Sequence, residues 1–200
     1  MKKVSIIIPH LPGTRKEYLK EAIKGIDEQV YPNIELILVS KNQSEVNNIR
    51  EGLKRAKGEI IHIHHDDDWF TPNSVQNAVD FLTPYDLIHG KAHEINGKDY
   101  TPPIKYPTLK ELVSCNVIHN ATIFYRRDLF DRVGEYEQDW LFSLKCLEKG
   151  MKIGYCPFFL KNYRLHPESL SNSTIWIESM RPHLVKIVKE RYGPLLSEAR

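Results

Sequence analysis

Nothing in this chain stays apolar long enough to cross a bilayer. The longest runs, such as Val4 to Pro9, fall far short of the roughly 20 residues that a spanning helix needs. The charged start Met1-Lys2-Lys3 leads straight into a β-branched run, so no cleavable signal peptide is expected. Cysteine is scarce: Cys115, Cys146 and Cys156 are odd in number and form no close-spaced pair. That argues against a disulfide scaffold and a cysteine-built metal site, and fits reduced thiols in a cytoplasmic protein. An excess of one charge is lacking too. Lys and Arg number 28 against 26 Asp and Glu, a net charge of +2, and the basic residues are scattered. No nucleic-acid partner is therefore expected. What is present, 41% hydrophobic and 27% charged residues over 200 positions without a repeat or linker, suits one folded domain with a substantial core. Such a protein can still work at a membrane surface.

Periodicity gives the organisation. Lys3 to Ile8 is a β-branched run stopped by Pro9, which reads as a central parallel strand. Arg15 to Gln29 carries Tyr18, Leu19, Ala22, Ile23 and Ile26 at helical spacing. Ile34 to Val39 reads as the second strand, Asn47 to Lys57 as a helix with Gly58 as its C-cap, and Ile60 to His64 as the third strand. This βαβαβ order predicts a doubly wound half-sheet. Pro72 suits the first turn of a helix running to about Leu82.

After Tyr85 the rhythm changes. Asp86–His89, Lys91–Ile95, Thr122–Tyr125, Lys152–Tyr155 and Phe158–Arg164 read as short strands, with a hairpin turn at Asn96-Gly97. Tyr100 to Pro107 reads as a loop, and Leu109–Val113 and Glu137–Lys149 as helices. A last helix is expected over Ile175–Tyr192, interrupted or bent at Pro182. Residues 1–83 would form one wall of a cleft and 84–200 the other.

The chemistry centres on Asp66-Asp67-Asp68, placed where the third strand runs out. Three adjacent carboxylates repel one another and are most easily tolerated around a cation. The C-terminal edge of an open parallel sheet is where such folds bind ligands. Hard oxygens suit Mg²⁺ or Mn²⁺, ions often held by one or two carboxylates plus substrate phosphates. A solvated loop or a helix N-cap would use the same residues. His62 and His64 fall on one strand face and His65 on the other; hydrogen-bonded burial under the helices is the default for the first two, ahead of a zinc site. Asp139, at the head of a helix, is either a capping charge or a second functional acid. Arg164 and His166 follow a late strand and could meet phosphate or close a metal site. Arg126-Arg127-Asp128 reads equally as a salt-bridged helix start and as a phosphate neighbour, and His119 as a packing residue.

Taken together, these pieces resemble a glycosyltransferase family 2 domain of the GT-A fold. VSIIIPHLPG resembles its opening strand and loop, YPNIELILVS its second strand, and AKGEIIHIHHDDDWF its third strand with the metal-binding DxD loop. RRDLFDRVGEYEQDWLFSLKCLEKG resembles the stretch with the catalytic acid, and YRLHPESLSN the late strand and loop. The resemblance covers residues 3 to about 174. It implies a Rossmann-like, open, mostly parallel sheet flanked by helices, with a mixed second half on the acceptor side. It also implies inverting transfer from a nucleotide diphosphate sugar with Mn²⁺ or Mg²⁺. By position, Asp67 is the metal ligand, with Asp68 beside it and His166 closing the site; Asp139 is the general base. Pro9, His10 and Leu11 fall on the first nucleotide-contacting loop, and Asp66 and Arg164 border the diphosphate. His65 stands where the family has the first acid of DxD. Ser40, followed by Lys41 and Asn42, stands where an aspartate commonly reads uracil, and Arg50 replaces a common asparagine.

The sequence thus points to a transferase moving a hexosyl or deoxyhexosyl group, with a UDP-sugar donor favoured, to a glycan or lipid-linked hydroxyl. The chain would be a standalone enzyme or a module of a larger protein. Two other readings use the same acids: a metal-dependent nucleotidyltransferase, for which HLPGTRKEY is a poor loop, and a non-catalytic nucleotide-binding module.

Overall fold

The structure is a computed structural model that describes residues 1–41, 44–95, 97–166, 169 and 176–197. In chain order the elements are β1 (Val4–Pro9), α1 (Lys16–Asp27), β2 (Ile34–Val39), α2 (Glu45–Arg55), β3 (Ile60–Ile63), β4 (Trp69–Phe70) and α3 (Ser74–Leu82). There follow β5 (Leu87–Ile95), α4 (Leu109–Ser114), β6 (Phe124–Arg126), α5 (Leu129–Val133), α6 (Asp139–Glu148), β7 (Ile153–Arg164) and α7 (Arg181–Ser197). Among the described residues the strands form one seven-stranded sheet in the order β2-β1-β3-β6-β5-β7-β4. β1 pairs in parallel with β2 and β3, and β5 with β7. β6 and β4 run antiparallel to their neighbours. The mostly parallel sheet with a mixed second half is the expected architecture.

Strand alternation builds both layers of the core. Val4, Ile6 and Ile8 of β1 join Ile26, Val75, Ala78 and Leu82 on the face covered by α1 and α3. Ile7 points the other way, into Ile49, Ile61, Ile63, Leu112, Leu144 and Val188. Burying both faces is why these strands read as continuous apolar runs.

Several details differ from expectation. The two short strands expected on either side of Gly90 are one strand, β5, and those on either side of Pro157 are one strand, β7. The register slips between His89 and Lys91, where β7 takes extra residues around Pro157; a bulge is where a strand can hold a proline. The helix after Pro72 begins at Ser74, with Asn73 in the left-handed region as its cap. The expected interruption at Pro182 falls where the helix changes type: a π-helical turn over Trp176–Met180 gives way to α7 at Arg181, and Pro182 lies in the first turn of α7. Asn96 of the expected hairpin, Asn42, and Ile175 at the head of the expected last helix lie outside the described residues. No helix among the described residues is long and apolar enough to cross a membrane.

Candidate active site

Neighbouring strand exits assemble the site. β1 and β3 are paired, so the residues just past them, His10 and Asp66, meet: His10 Nδ1 lies 2.6 Å from Asp66 Oδ2. Asn48, fully buried on α2, fastens this edge from behind. Its side chain donates to His10 O at 3.2 Å and accepts from Lys41 N at 3.3 Å. Pro9 closes β1 and is buried, Leu11 is half-buried and Ser40 is exposed just past β2.

Arg164 ends β7 and His166 lies just past it, and β7 is not paired with β3 in the sheet. The two-residue strand β4 makes the connection, because Trp69 pairs with Asn162 and draws the acidic loop against the end of β7. Arg164 then braces that loop. Its backbone N–H donates to Asp68 Oδ1 at 3.0 Å and its Nε–H to Asp67 O at 3.0 Å. The guanidinium sits between the rings of Tyr18 and Trp69, 4.3 and 4.8 Å from their centroids, and pairs with Glu21. Beyond it, His166 Nε2 reaches Asp67 Oδ2 at 3.0 Å.

The three acids are unlike one another. Asp66 is buried, with its oxygens on His10 and Arg15. Asp67 is the most accessible; burial opposes its charge, but His65, His166 and Arg15 outweigh it and hold the pKa below the usual carboxylate value. Asp68 is fully buried, and burial together with Asp67 pushes its pKa up to about 6. Its Oδ2 has no hydrogen-bond partner among the described residues and lies 3.9 Å from His65 Nδ1.

Sequence reading placed His62 and His64 under the helices, and there they are, but it missed their partner. Lys161 of β7 is fully buried, with Nζ 3.2 Å from His62 Nε2, 2.6 Å from His64 Nδ1 and 4.5 Å over the Phe70 ring. His62 Nδ1 lies 2.8 Å from Ile123 O and His64 Nε2 3.2 Å from Asp68 O. The arrangement assigns each imidazole one donating and one accepting nitrogen. Burial first and then Lys161 depress both histidines well below their ordinary pKa. Alternation along KNYRLH put Lys161 on a core-facing position; that was the available signal.

On the other sheet face, His65 Nε2 is 3.5 Å from Glu45 Oε1 at the start of α2. Burial works against its charge, but Glu45, Asp68, Asp139 and Asp67 raise its pKa overall. A ring whose protonated form is favoured by four carboxylates therefore occupies the position where the family has an acid. Asp139 is half-buried at the first turn of α6, behind Gln138, whose side chain accepts from Trp140 N and Leu141 N. Tyr136 Oη donates to Asp139 Oδ1. Burial raises the Asp139 pKa despite His65 and that hydrogen bond. Arg50 reaches the same corner: Nε donates to Tyr136 O at 2.8 Å and pairs with Glu135 at 3.2 Å. Arg126 pairs with Asp128, and Arg127 donates to Ala56 O, so this trio braces a helix start. His119 packs edge-on to Tyr100 and Tyr163.

Do these residues suit a divalent cation? Among the described residues no three His, Cys, Asp or Glu side chains converge on one point. Asp67 Oδ2 and His166 Nε2, at 3.0 Å, have the spacing of two adjacent ligands of an octahedral ion, whose bonds of about 2.1 Å put such ligands about 3 Å apart. An ion with two protein ligands leaves room for phosphate oxygens and water, as Mg²⁺ and Mn²⁺ prefer. The pair fits.

Solved structures share this fold. TarS of S. aureus, solved in complex with UDP-GlcNAc, superposes with a TM-score of 0.66 at 17% identity, covering 84% of this chain and 60% of that one. A mannosyltransferase from Pyrobaculum calidifontis, in complex with GDP-Man and Mn²⁺, gives 0.58 at 16% identity, covering 84% and 58%. The sequence profile of glycosyl transferase family 2 matches residues 16–134, and the chain belongs to that family. An uncharacterized glycosyltransferase of Rickettsia typhi is 26% identical over 68% of this chain and 56% of its own length. One from Bacillus subtilis is 26% identical over 55% and 45%. The chain thus spans about half the length of the curated relatives it matches.

Proposed function

We propose that the protein is an inverting glycosyltransferase that moves a hexosyl or deoxyhexosyl group from a nucleotide diphosphate sugar, UDP-linked in preference, to a hydroxyl of a glycan or lipid-linked acceptor. The observation that carries this reading is Asp139 itself, half-buried at the head of α6, held by Tyr136 Oη and separate from the acidic loop. A general base works best with a pKa drawn toward the operating pH, and Asp139 is drawn that way by burial. Asp139 accepts the acceptor proton while Tyr136 orients its carboxylate and Arg50 fixes the preceding loop. Asp67 and His166 hold the divalent cation, which when bound offsets the charge on the leaving diphosphate. Pro9, His10 and Leu11 border the nucleotide with Ser40, and His65 stands between the diphosphate side and the base. Arg164 and Asp68 keep Asp67 in place.

The test is acceptor-dependent release of free nucleoside diphosphate, with Asp139→Asn as the diagnostic variant. Asparagine keeps the size but is no base. General-base catalysis supplies about 10²–10⁴-fold, so turnover should fall by that order while nucleotide affinity stays within a few-fold. Near-parental turnover in the variant would remove Asp139 from the reaction. Pyrophosphate release would point to a nucleotidyltransferase, and saturable binding without turnover to a binding module.

A further inference from the structure

Arg15 lies across two of the three acids. Its Nη2 is 2.9 Å from Asp66 Oδ1 and its Nη1 is 2.9 Å from Asp67 Oδ2. The Asp67 oxygen is the one that His166 approaches at 3.0 Å. A carboxylate oxygen offers about two lone-pair sites, so Asp67 Oδ2 is fully engaged. The Arg15 backbone is itself unusual: φ 40° and ψ 42° put a non-glycine residue in the left-handed region at the cap of α1. Such strain persists only where the surroundings impose it. The Arg15 side chain makes no capping hydrogen bond; it reaches the acids instead, 19% exposed over a carboxylate that is 2% exposed.

A divalent ion that binds both Asp67 Oδ2 and His166 Nε2 ends their hydrogen bond and sets a second cation on the oxygen that Arg15 holds, so the two positive charges repel. His166 can turn ligand through Nε2. Arg15 cannot, because a guanidinium stays protonated and has no acceptor atom. Once displaced, however, its planar fork matches phosphate oxygens in a bidentate fashion. We propose that Arg15 is an internal counter-ion: it stands in for the divalent cation against Asp66 and Asp67 in the free protein and passes to the diphosphate when metal and nucleotide arrive together. The inference rests on the metal-and-diphosphate reading above and adds a residue with two opposed effects. An ion binding alone loses the Arg15 pairing without replacement, whereas an ion binding with a diphosphate gives Arg15 a new partner. Metal and nucleotide therefore favour each other, and Arg15 carries that coupling.

The experiment measures Mn²⁺ binding alone, from the loss of free-ion paramagnetic resonance, and then binding of UDP or GDP, whichever the parent prefers, at saturating Mn²⁺. Parent, Arg15→Gln and Asp67→Ala are compared after a melting curve confirms folding. Arg15→Gln is expected to bind Mn²⁺ alone at least about fivefold more tightly, the low end of ordinary coupling. Its nucleotide affinity is expected to fall by about tenfold, the size of one charge-assisted hydrogen bond. Unchanged Mn²⁺ affinity in Arg15→Gln would overturn the stand-in role, and unchanged nucleotide affinity would overturn the hand-over. Asp67→Ala separates the two layers: if it loses metal-dependent nucleotide binding while Arg15→Gln matches the parent, the site is right and the counter-ion is wrong. If Asp67→Ala also matches the parent, the site itself is wrong. Should Arg15→Gln fail to fold, Arg15→Lys keeps the charge but cannot bridge two carboxylates, and the same opposed shifts are expected at smaller size.

Discussion

At the scale of single residues, Lys161 makes the sharpest statement about stability. Burial drives its pKa from 10.5 down to about 7, against the pull of Asp68 and Asp67. Between those two values the unfolded chain holds a proton that the folded chain has released, so stability rises with pH through that window. Below pH 7 the desolvation cost is present in full. Asp68 acts elsewhere: its pKa is raised from 3.8 to about 6, so stability falls as pH climbs through that lower range and is level above it. Cys146 and Cys156, raised from 9.0 to about 12 and about 11, oppose Lys161 as the pH approaches 9, where the thiols of the unfolded chain ionise. From about pH 7.5 to 8.5 the unfolding free energy in urea should therefore rise, with a slope of at most about 1.4 kcal/mol per pH unit for one proton. Lys161→Met, similar in length and uncharged, should flatten it. An equal slope in the variant would assign the titration to another group.

At the scale of elements, what the sequence disclosed depended on the range of the interaction. β1 and α1 are written in their own periodicities, and the acidic loop in its place after β3. β4 was not legible, because two residues carry no period; Trp69 and Phe70 are a strand only through Asn162 and Lys161, far along the chain. Arg15 stood out only as part of the poor loop HLPGTRKEY and not as a partner of the acids, since those lie 51 and 52 positions away. Gly58 was legible as special but for the wrong cause. The helix ends at Arg55 with Ala56 as its cap, and Gly58 has no left-handed backbone. Its constraint is proximity: a Cβ there would stand 2.6 Å from Ser5 N and 2.8 Å from Lys3 O, while Gly58 N donates to Ser5 Oγ at 2.7 Å. Backbone atoms of a central strand cannot step aside. Gly58→Ala should lower unfolding free energy in urea by about 1–3 kcal/mol, the usual cost of overpacking; a loss below about 0.5 kcal/mol would mean that β1 yields more easily than this contact allows.

At the scale of the whole molecule, the proposed donor site and the proposed base sit on opposite sides of one sheet edge, and strands from both halves of the chain share that sheet. β1 and β3 from the first half carry His10 and the acids, β7 from the second half carries Arg164 and His166, and α6 carries Asp139. Ligand binding at this edge must therefore tie the halves together and raise the stability of the fold as a unit. A ligand bound only by the folded state at a hundredfold excess over its dissociation constant adds about 2.7 kcal/mol. For a chain of this size each kcal/mol moves the melting temperature by about 2–4 °C. UDP with Mn²⁺ at that excess is then expected to raise the melting temperature by about 5–10 °C, and either component alone by much less, since the ion and the diphosphate complete each other's coordination. GDP, dTDP and CDP with Mn²⁺ provide the comparison that assigns the base, because Ser40 lacks the charge and reach of the aspartate that would favour uracil. A larger shift with GDP than with UDP would reverse the donor preference while leaving the site in place. A panel in which no nucleotide moves the melting temperature, with or without Mn²⁺, would take nucleotide binding away from this edge altogether.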